Sequence, residues 1–348
     1  MKLALFINDI ATEKDYFTTI RLSRRAIEKG HEVALVGLEN LIYRSDGTIC
    51  ALASCPSKKK YADDSALLHE LQDENAELTR VNLTKFDVIL LRSDPADEVV
   101  NRPWAPNSAL LFAQLLVRQG VIVLNDPGSL TDASNKTYFQ TYPDKIRPRT
   151  VIAHDADSLK KAVDEFDGKA AIKPLQGSGG QGVFIIKESG QNNLNQIIEA
   201  TVRDGYAIVQ EYLPLAAKGD IRLFTLNGKP LKIDGVYACF RRYNDSEDAR
   251  SNFSAGGKIE LIEPDKDALA VAEAACPKLV RDGMYLAGLD IVGDKMMEIN
   301  VDTPGGVNMA DDLIGKDFSG MIIDDLERKV RLKHLYGHQV SIRDLAAL

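Results

Sequence analysis

The sequence predicts an α/β protein: a doubly wound N-terminal α/β domain, then a mixed α+β region. Three observations carry this. An apolar strand, a helix and a second apolar strand alternate within the first 38 residues. A second strand–helix–strand run follows before residue 125. Beyond it strands dominate, two of them flanking a glycine-rich loop and two forming a hairpin rich in oxygen-bearing side chains.

Leu3–Ile7 is a short apolar run, read as a buried strand. Tyr16–Lys29 has helical spacing through Phe17, Ile20, Leu22, Ala26 and Ile27, and Gly30 supplies a C-terminal stop. His31–Leu38 is the second strand, so the unit requires a right-handed parallel crossover. Arg44–Lys85 is polar with few strand signals and reads as an excursion with a helix around Ser65–Leu78. Phe86–Leu91 is a third strand, Asn107–Gln119 a helix and Val121–Leu124 a fourth strand. The turn cluster Asn125-Asp126-Pro127-Gly128 marks a boundary. A helix over Ser129–Phe139 follows, then strand Thr150–Ala153 and helix Ser158–Phe166. Strands Ala170–Pro174 and Gly182–Lys187 flank the glycine loop, before helix Leu194–Arg203 and strand Ala207–Tyr212. Residues 219–301 are mostly strand, with one helix at Asp267–Asp282, and Leu313–Leu348 reads as a polar helical tail.

Composition narrows the partners. The chain has 348 residues, with 43 Lys plus Arg against 51 Asp plus Glu, a net charge of −8. That excludes bulk attraction to nucleic acid or an anionic membrane surface. No apolar run approaches the roughly 18 residues of a membrane span, and Asp9 interrupts the start too soon for a signal peptide. Cys50, Cys55, Cys239 and Cys276 are too few for a disulfide scaffold and fit reduced thiols in a cytoplasmic protein.

The first chemical signal is Lys173-Pro-Leu-Gln-Gly177-Ser178-Gly179-Gly180-Gln-Gly182. Clustered glycines let backbone N–H groups approach phosphate oxygens. The letters match G-x-G-x-x-G, but a strand follows where a dinucleotide site needs a helix. No Gly-Lys-Ser/Thr closes the loop, so it is not a Walker A motif. A glycine-rich hairpin without a ligand is the plain alternative. Lys173 weighs against that alternative, because it ends an apolar strand just before the loop and can reach phosphates beneath it. Lys136 lies in the helix opening the central region, and two lysines flanking one loop suit a triphosphate.

The strongest signal is Gly288-Leu289-Asp290-Ile-Val-Gly-Asp-Lys-Met-Met-Glu298-Ile-Asn300, a hairpin turning at Gly293-Asp294. Glu298 and Asn300 are two apart and share one face of a strand. A three-residue loop, Gly293–Lys295, places Asp290 opposite Glu298 on that face; a two-residue loop places it on the other. Three oxygen donors without Cys or His suit Mg²⁺ or Mn²⁺. Solvated polar residues are the commoner use of such a set, but the apolar neighbours Leu289, Ile291, Met297, Ile299 and Val301 mark a mostly buried hairpin. Arg222, on the strand after Lys218-Gly219-Asp220, is a candidate anion clamp. Arg250 precedes a second loop containing Asn252, Gly256 and Gly257, while Arg241 and Arg242 read as solvated.

Together these stretches are similar to the ATP-grasp superfamily and, within it, to the bacterial glutathione synthetases. The matching segments are FDVILLRSDP (86–95), VLNDPGSLTDASNK (123–136), AIKPLQGSGGQGVF (171–184), IVQEYLP (208–214), KGDIRLF (218–224), RSNFSAGG (250–257) and GLDIVGD…MEINVDTP (288–304), in the family's order. The resemblance implies an ATP-grasp fold: a pre-ATP-grasp domain over 1–125, a small lobe with the glycine loop over 126–204, a large lobe with the metal site over 205–312, and a tail over 313–348. It implies ATP held by Lys136, Lys173, Gly177, Ser178, Gly179, Gly180, Gly182, Gln210, Glu211, Tyr212, Leu213 and Asp220. It implies Mg²⁺ or Mn²⁺ on Asp290, Glu298 and Asn300. Arg222 and Arg250 would act on the acyl phosphate, and Arg92, Asn252, Gly256 and Gly257 would join them in holding substrate.

The implied activity is a carboxylate–amine ligation through an acyl phosphate, joining γ-glutamylcysteine to glycine in a cytoplasmic homo-oligomer, a dimer or tetramer. Another γ-glutamyl or amino-acid pair, and a non-catalytic nucleotide-binding regulator, are the alternatives. Two features depart from the family: the turn Asp302-Thr303-Pro304-Gly305-Gly306 replaces a Ser/Thr-Pro-Thr type, and the tail is longer.

Overall fold

The computed structural model of the chain describes residues 1–98, 102–133, 135–175, 182–188, 192–203, 205–244 and 257–348. The N-terminal part runs β1 (Lys2–Ile7), α1 (Thr18–Glu28), β2 (Glu32–Gly37), β3 (Leu41–Tyr43), β4 (Ile49–Ala53), α2 (Asp64–Leu71), β5 (Thr79–Asn82), β6 (Val88–Leu91), α3 (Pro95–Glu98), α4 (Ala105–Arg118) and β7 (Ile122–Leu124). Strands β2, β1, β6 and β7 form a parallel sheet in that order. Its strands are almost wholly apolar because both faces are covered. Leu3, Leu5 and Ile7 cluster with Ile20 and Leu22 of α1, while Ala4 and Phe6 cluster with Ala109, Ala113 and Leu116 of α4. The doubly wound arrangement is as expected.

The polar 44–85 region differs from expectation. It carries a three-stranded antiparallel sheet, β3-β4-β5, and its helix is limited to Asp64–Leu71. The strands escape a local reading because β4 is Ile-Cys-Ala-Leu-Ala and β5 is Thr-Arg-Val-Asn, neither strongly β-forming. Their pairing is long-range, Cys50 against Asn82, and tertiary pairing overrides weak propensity.

The helix expected over Ser129–Phe139 is also shorter. α5 spans Pro127–Asp132, with Asp126 capping the Ser129 amide, and a separate 3₁₀ turn covers Tyr138–Thr141. Next come β8 (Thr150–Ala153), α6 (Ala156–Glu165), β9 (Ala170–Pro174), β10 (Phe184–Ile186), α7 (Leu194–Val202) and β11 (Ala207–Glu211). The four strands form an antiparallel sheet, β10-β9-β11-β8. Its core of Leu159, Val163, Ile172, Ile186, Ile198 and Val209 is separate from the other two clusters.

The third large sheet contains β12 (Asp220–Leu226), the short β13 (Lys229–Pro230), β16 (Cys239–Tyr243), β17 (Lys258–Glu260), β18 (Leu286–Val292) and β19 (Lys295–Asn300), while β14 (Lys232–Ile233) and β15 (Val236–Tyr237) pair as a separate ribbon and α8 (Lys266–Arg281) joins β17 to β18. The main path is β17-β16-β12-β18-β19. The chain ends in α9 (Val307–Ile314), α10 (Phe318–Tyr336) and α11 (Ile342–Ala347).

The tail is helical as expected but is not a polar surface appendage. α10 places Phe318, Ile322, Ile323 and Leu326 in the same cluster as Leu3, Leu5 and Ile7 of β1. The Tyr285 hydroxyl donates to the Ile322 carbonyl at 3.1 Å, and Lys29 and His31 meet Asp324 and Glu327. The core that α1 forms on one face of the N-terminal sheet is therefore completed by residues from the far end of the chain.

Candidate active site

The β18–β19 hairpin sets the site. Its loop is two residues, Gly293-Asp294, shorter than the three-residue loop the sequence reading required. Asp290 nevertheless pairs directly with Glu298, because the register shifts by a bulge between Asp290 and Ile291. The extra residue sits in the strand instead of the turn, which restores the shared face. Asn300, opposite Gly288, continues that face.

The neighbouring strands bring cations to it. Arg222 on β12 pairs with Asp290, and its Nε and Nη2 donate to the two carboxylate oxygens at 2.5 and 3.0 Å. Arg242 on β16 reaches the same carboxylate at 2.8 Å and also binds Asp220 at 2.5 Å. Arg242 is thus a buried bridge and not the solvated residue its sequence context suggested. Gly219 permits this approach: its φ is +95°, and a Cβ there would lie 2.0 Å from the Arg242 carbonyl oxygen. Burial pushes the Asp290 carboxyl up, but the guanidinium groups of Arg222 and Arg242 outweigh it and hold the pKa below the ordinary value.

Asn300 Nδ2 donates to Asp290 Oδ2 at 3.2 Å. Among the described residues no cluster of three Cys, His, Asp or Glu side chains forms a metal cage. Two carboxylates and one amide on adjacent positions fit a hard cation that takes its remaining ligands from phosphate and water.

The small lobe supplies the other cations. Lys173, on β9, donates to Gln210 Oε1 at 3.1 Å, and Lys136 donates to the Pro174 carbonyl at 3.2 Å. Burial is the main cause that lowers both lysines; for Lys136, at about 8, the neighbouring Lys173 adds to it. The Glu298 charge opposes the shift in both, so β19 and the two lysines face one space.

Gln210 is buried on β11, while the Glu211 carboxylate accepts from the Arg149 backbone amide at 2.9 Å and from its Nε at 2.6 Å. Tyr212 and Leu213 follow directly, with the Tyr212 amide donating to the Lys169 carbonyl. Asp220 is buried against Arg242. Gly182 has a φ of +67°, and Gly257 is buried. Gly177, Ser178, Gly179, Gly180, Arg250, Asn252 and Gly256 lie outside the described residues.

A cavity of about 390 Å³ opens beside Arg222 and Arg242, between the N-terminal part and the third sheet. Its walls include Glu13, Arg92, Phe240 and Gly305. The 302–306 turn forms one side: Arg92 Nη2 donates to the Pro304 carbonyl at 3.1 Å and Arg222 Nη1 to the Gly305 carbonyl at 3.0 Å. Thr18 Oγ1 accepts from the Gly306 and Val307 amides, and Asn308 Oδ1 accepts from Thr18. Arg92, expected to hold substrate, lines this cavity. Glu13 and Thr18 were not legible, since nothing local marks the start of α1 as facing a cavity more than 280 residues along the chain from its other wall.

Comparison with known proteins assigns the class. Among solved structures, a D-cycloserine synthetase superposes with a TM-score of 0.62 at 13% identity, covering 94% of this chain and 100% of that one. An ATP-grasp protein with a RimK domain from Sphaerobacter thermophilus gives a TM-score of 0.55 at 18% identity, covering 93% and 98%. The fold is ATP-grasp. Two prokaryotic glutathione synthetase family models match this chain, the N-terminal domain over residues 1–131 and the ATP-grasp domain over 135–315, and together they define a carbon–nitrogen ligase. The glutathione synthetase of Gloeobacter violaceus is 30% identical over 349 aligned positions, covering 95% of this chain and 98% of that protein. That of Thermosynechococcus vestitus is 29% identical over 323, covering 90% and 96%. The chain belongs to the prokaryotic glutathione synthetase family. Ligase membership sets aside the non-catalytic regulator. No helix among the described residues is long and apolar enough to cross a membrane.

Proposed function

We propose that this ligase joins γ-glutamylcysteine to glycine, converting ATP to ADP and phosphate. The observation that carries the reading is that Lys136, Lys173 and Glu298 converge beside Asp290, next to a cavity lined by Arg92 and Arg222. In this reading a donor carboxylate oxygen attacks the γ-phosphorus and ADP leaves. The glycine nitrogen then attacks the acyl carbon, loses a proton, and phosphate leaves.

Lys136 and Lys173 neutralise phosphate charge, aided by the loop containing Gly177, Ser178, Gly179, Gly180 and Gly182. Gln210, Glu211, Tyr212 and Leu213 line the adenine end, with Asp220 fixing Arg242 nearby. Arg222 and Arg250 stabilise charge on the acyl phosphate, which is positioning and electrostatic catalysis without a side-chain nucleophile. Asp290, Glu298 and Asn300 would hold Mg²⁺ or Mn²⁺, which supplies charge neutralisation on the phosphates. Arg92, Asn252, Gly256 and Gly257 hold substrate. The units 1–125, 126–204, 205–312 and 313–348, a cytoplasmic location and assembly into a dimer or tetramer belong to the same proposal.

Purified protein given γ-glutamylcysteine, glycine, ATP and Mg²⁺ is expected to release ADP only when all components are present. Absence of ADP release would sink the reading. One observation favours a second pair of substrates from the same γ-glutamyl class: the turn against the cavity carries Asp302, which burial and then the Asp94 charge push up to about 7. A screen of donors and acceptors by phosphate release separates the two.

A further inference from the structure

The cavity beside Arg222 contains two opposite charges that do not neutralise each other. Glu13 is 5% exposed, and its Oε2 is buried without a hydrogen-bond partner. Arg92 is 6% exposed; its guanidinium donates to Thr19 Oγ1 at 3.3 Å and to the Pro304 carbonyl, and makes no ion pair with a described residue. Both line the cavity and feel each other's charge, yet no hydrogen bond joins them. The other two arginines of the wall, Arg222 and Arg242, are already committed to Asp290. Asp94 and Asp97 add further acidic character on the Glu13 side of the balance.

Leaving a buried carboxylate and a buried guanidinium apart is costly, since each loses hydration without gaining a counter-charge. Burial accordingly pushes Glu13 up to about 7 and Arg92 down to about 10. The arrangement is complementary to a ligand that carries one negative and one positive group on adjacent atoms. An α-amino acid head has that form, with its carboxylate and ammonium on one carbon.

We propose that Glu13 and Arg92 form a receptor for a zwitterionic α-amino-acid head, with Glu13 taking the ammonium group and Arg92 the carboxylate. The inference rests on the reading that this cavity takes the carboxyl donor, and it deepens that reading by making Glu13 a specificity determinant. A donor with a γ-glutamyl head supplies both charges. The reacting end then lies toward Arg222, the wall residue shared with the Asp290 hairpin.

The test is calorimetric titration of the full chain, in the presence of Mg²⁺ and a non-hydrolysable ATP analogue. The two probes are γ-glutamylcysteine and glutarylcysteine, which lacks only the α-amino group. The natural chain is expected to prefer the amino-bearing probe by about 30-fold or more, the loss typical of leaving one buried charge unpaired. Glu13→Gln is expected to reduce that preference to within about threefold, while its melting temperature stays level or rises because an unpaired buried charge is gone. Arg92→Gln is expected to weaken both probes alike.

Equal binding of the two probes by the natural chain, binding of neither, or a preference unchanged in Glu13→Gln would overturn the receptor. The readout needs no turnover. A chain that prefers the amino-bearing probe but releases no ADP with glycine keeps the receptor and loses the proposed acceptor. A chain that turns over without the preference does the reverse.

Discussion

Lys136 is a residue whose environment sets a measurable pH dependence. Burial, opposed by Glu298 and reinforced by Lys173, holds it at about 8. A phosphate placed against it favours the charged form and raises that pKa. Nucleotide binding is therefore expected to take up a proton above pH 8, and affinity to fall as pH rises beyond it. Calorimetry of ATP binding in buffers of different ionisation enthalpy reads the proton directly, and Lys136→Met should reduce the uptake, leaving only the share of Lys173, and weaken ATP by roughly 10–100-fold. No uptake in the natural chain would mean that Lys136 does not meet phosphate. The lysine was legible in sequence as one of a pair flanking a glycine loop. Its pKa was not, because that depends on Glu298, brought in from the other lobe.

At the scale of the element, the β18–β19 hairpin separates two kinds of carboxylate. Asp290 holds two guanidinium groups, so Asp290→Asn leaves Arg222 without a counter-charge while Arg242 keeps Asp220, and is expected to cost about 2–4 kcal/mol of stability. Glu298 is exposed and makes no ion pair with a described residue, so Glu298→Gln is expected to leave the denaturation midpoint within about 0.5 kcal/mol while abolishing ligation. Urea denaturation and ADP release on the two variants check this; equal destabilisation would remove the distinction. The pairing of these acids was readable from the spacing of Glu298, Asn300 and Asp290. The means was not, since a bulge in place of a longer turn leaves no mark in a run such as Asp-Lys-Met-Met. Strands β3 to β5 were missed for a related reason: their stability lies in distant partners and not in their own residues.

For the whole molecule, the unforeseen result is where the tail sits. Phe318, Ile322, Ile323 and Leu326 are fully buried, and each contributes on the order of 1.5–3 kcal/mol by burial. Lys329, also fully buried, is tied to Asn227, to the Leu345 carbonyl and to the Tyr285 ring. Removal of 316–348 is therefore expected to abolish folding of the entire chain, since the tail joins the N-terminal part to the region around Asn227 and Tyr285. Circular dichroism and limited proteolysis of the shortened chain check this; a cooperative melt would show that the tail is dispensable. In sequence the segment looked polar because charged residues flank each buried one on α10, and the sparse apolar stripe was easily read as surface.

The packing of α10 against α1 also has a consequence in time. The N-terminal sheet and α1 emerge from the ribosome first, but the side of α1 that faces α10 stays uncovered until residue 326 has been made. At about 5–20 residues per second, the delay between completing β7 and supplying its cover is on the order of 10–40 s. During synthesis the N-terminal part carries an unfilled apolar seam along α1, and α10 decides when that seam is closed.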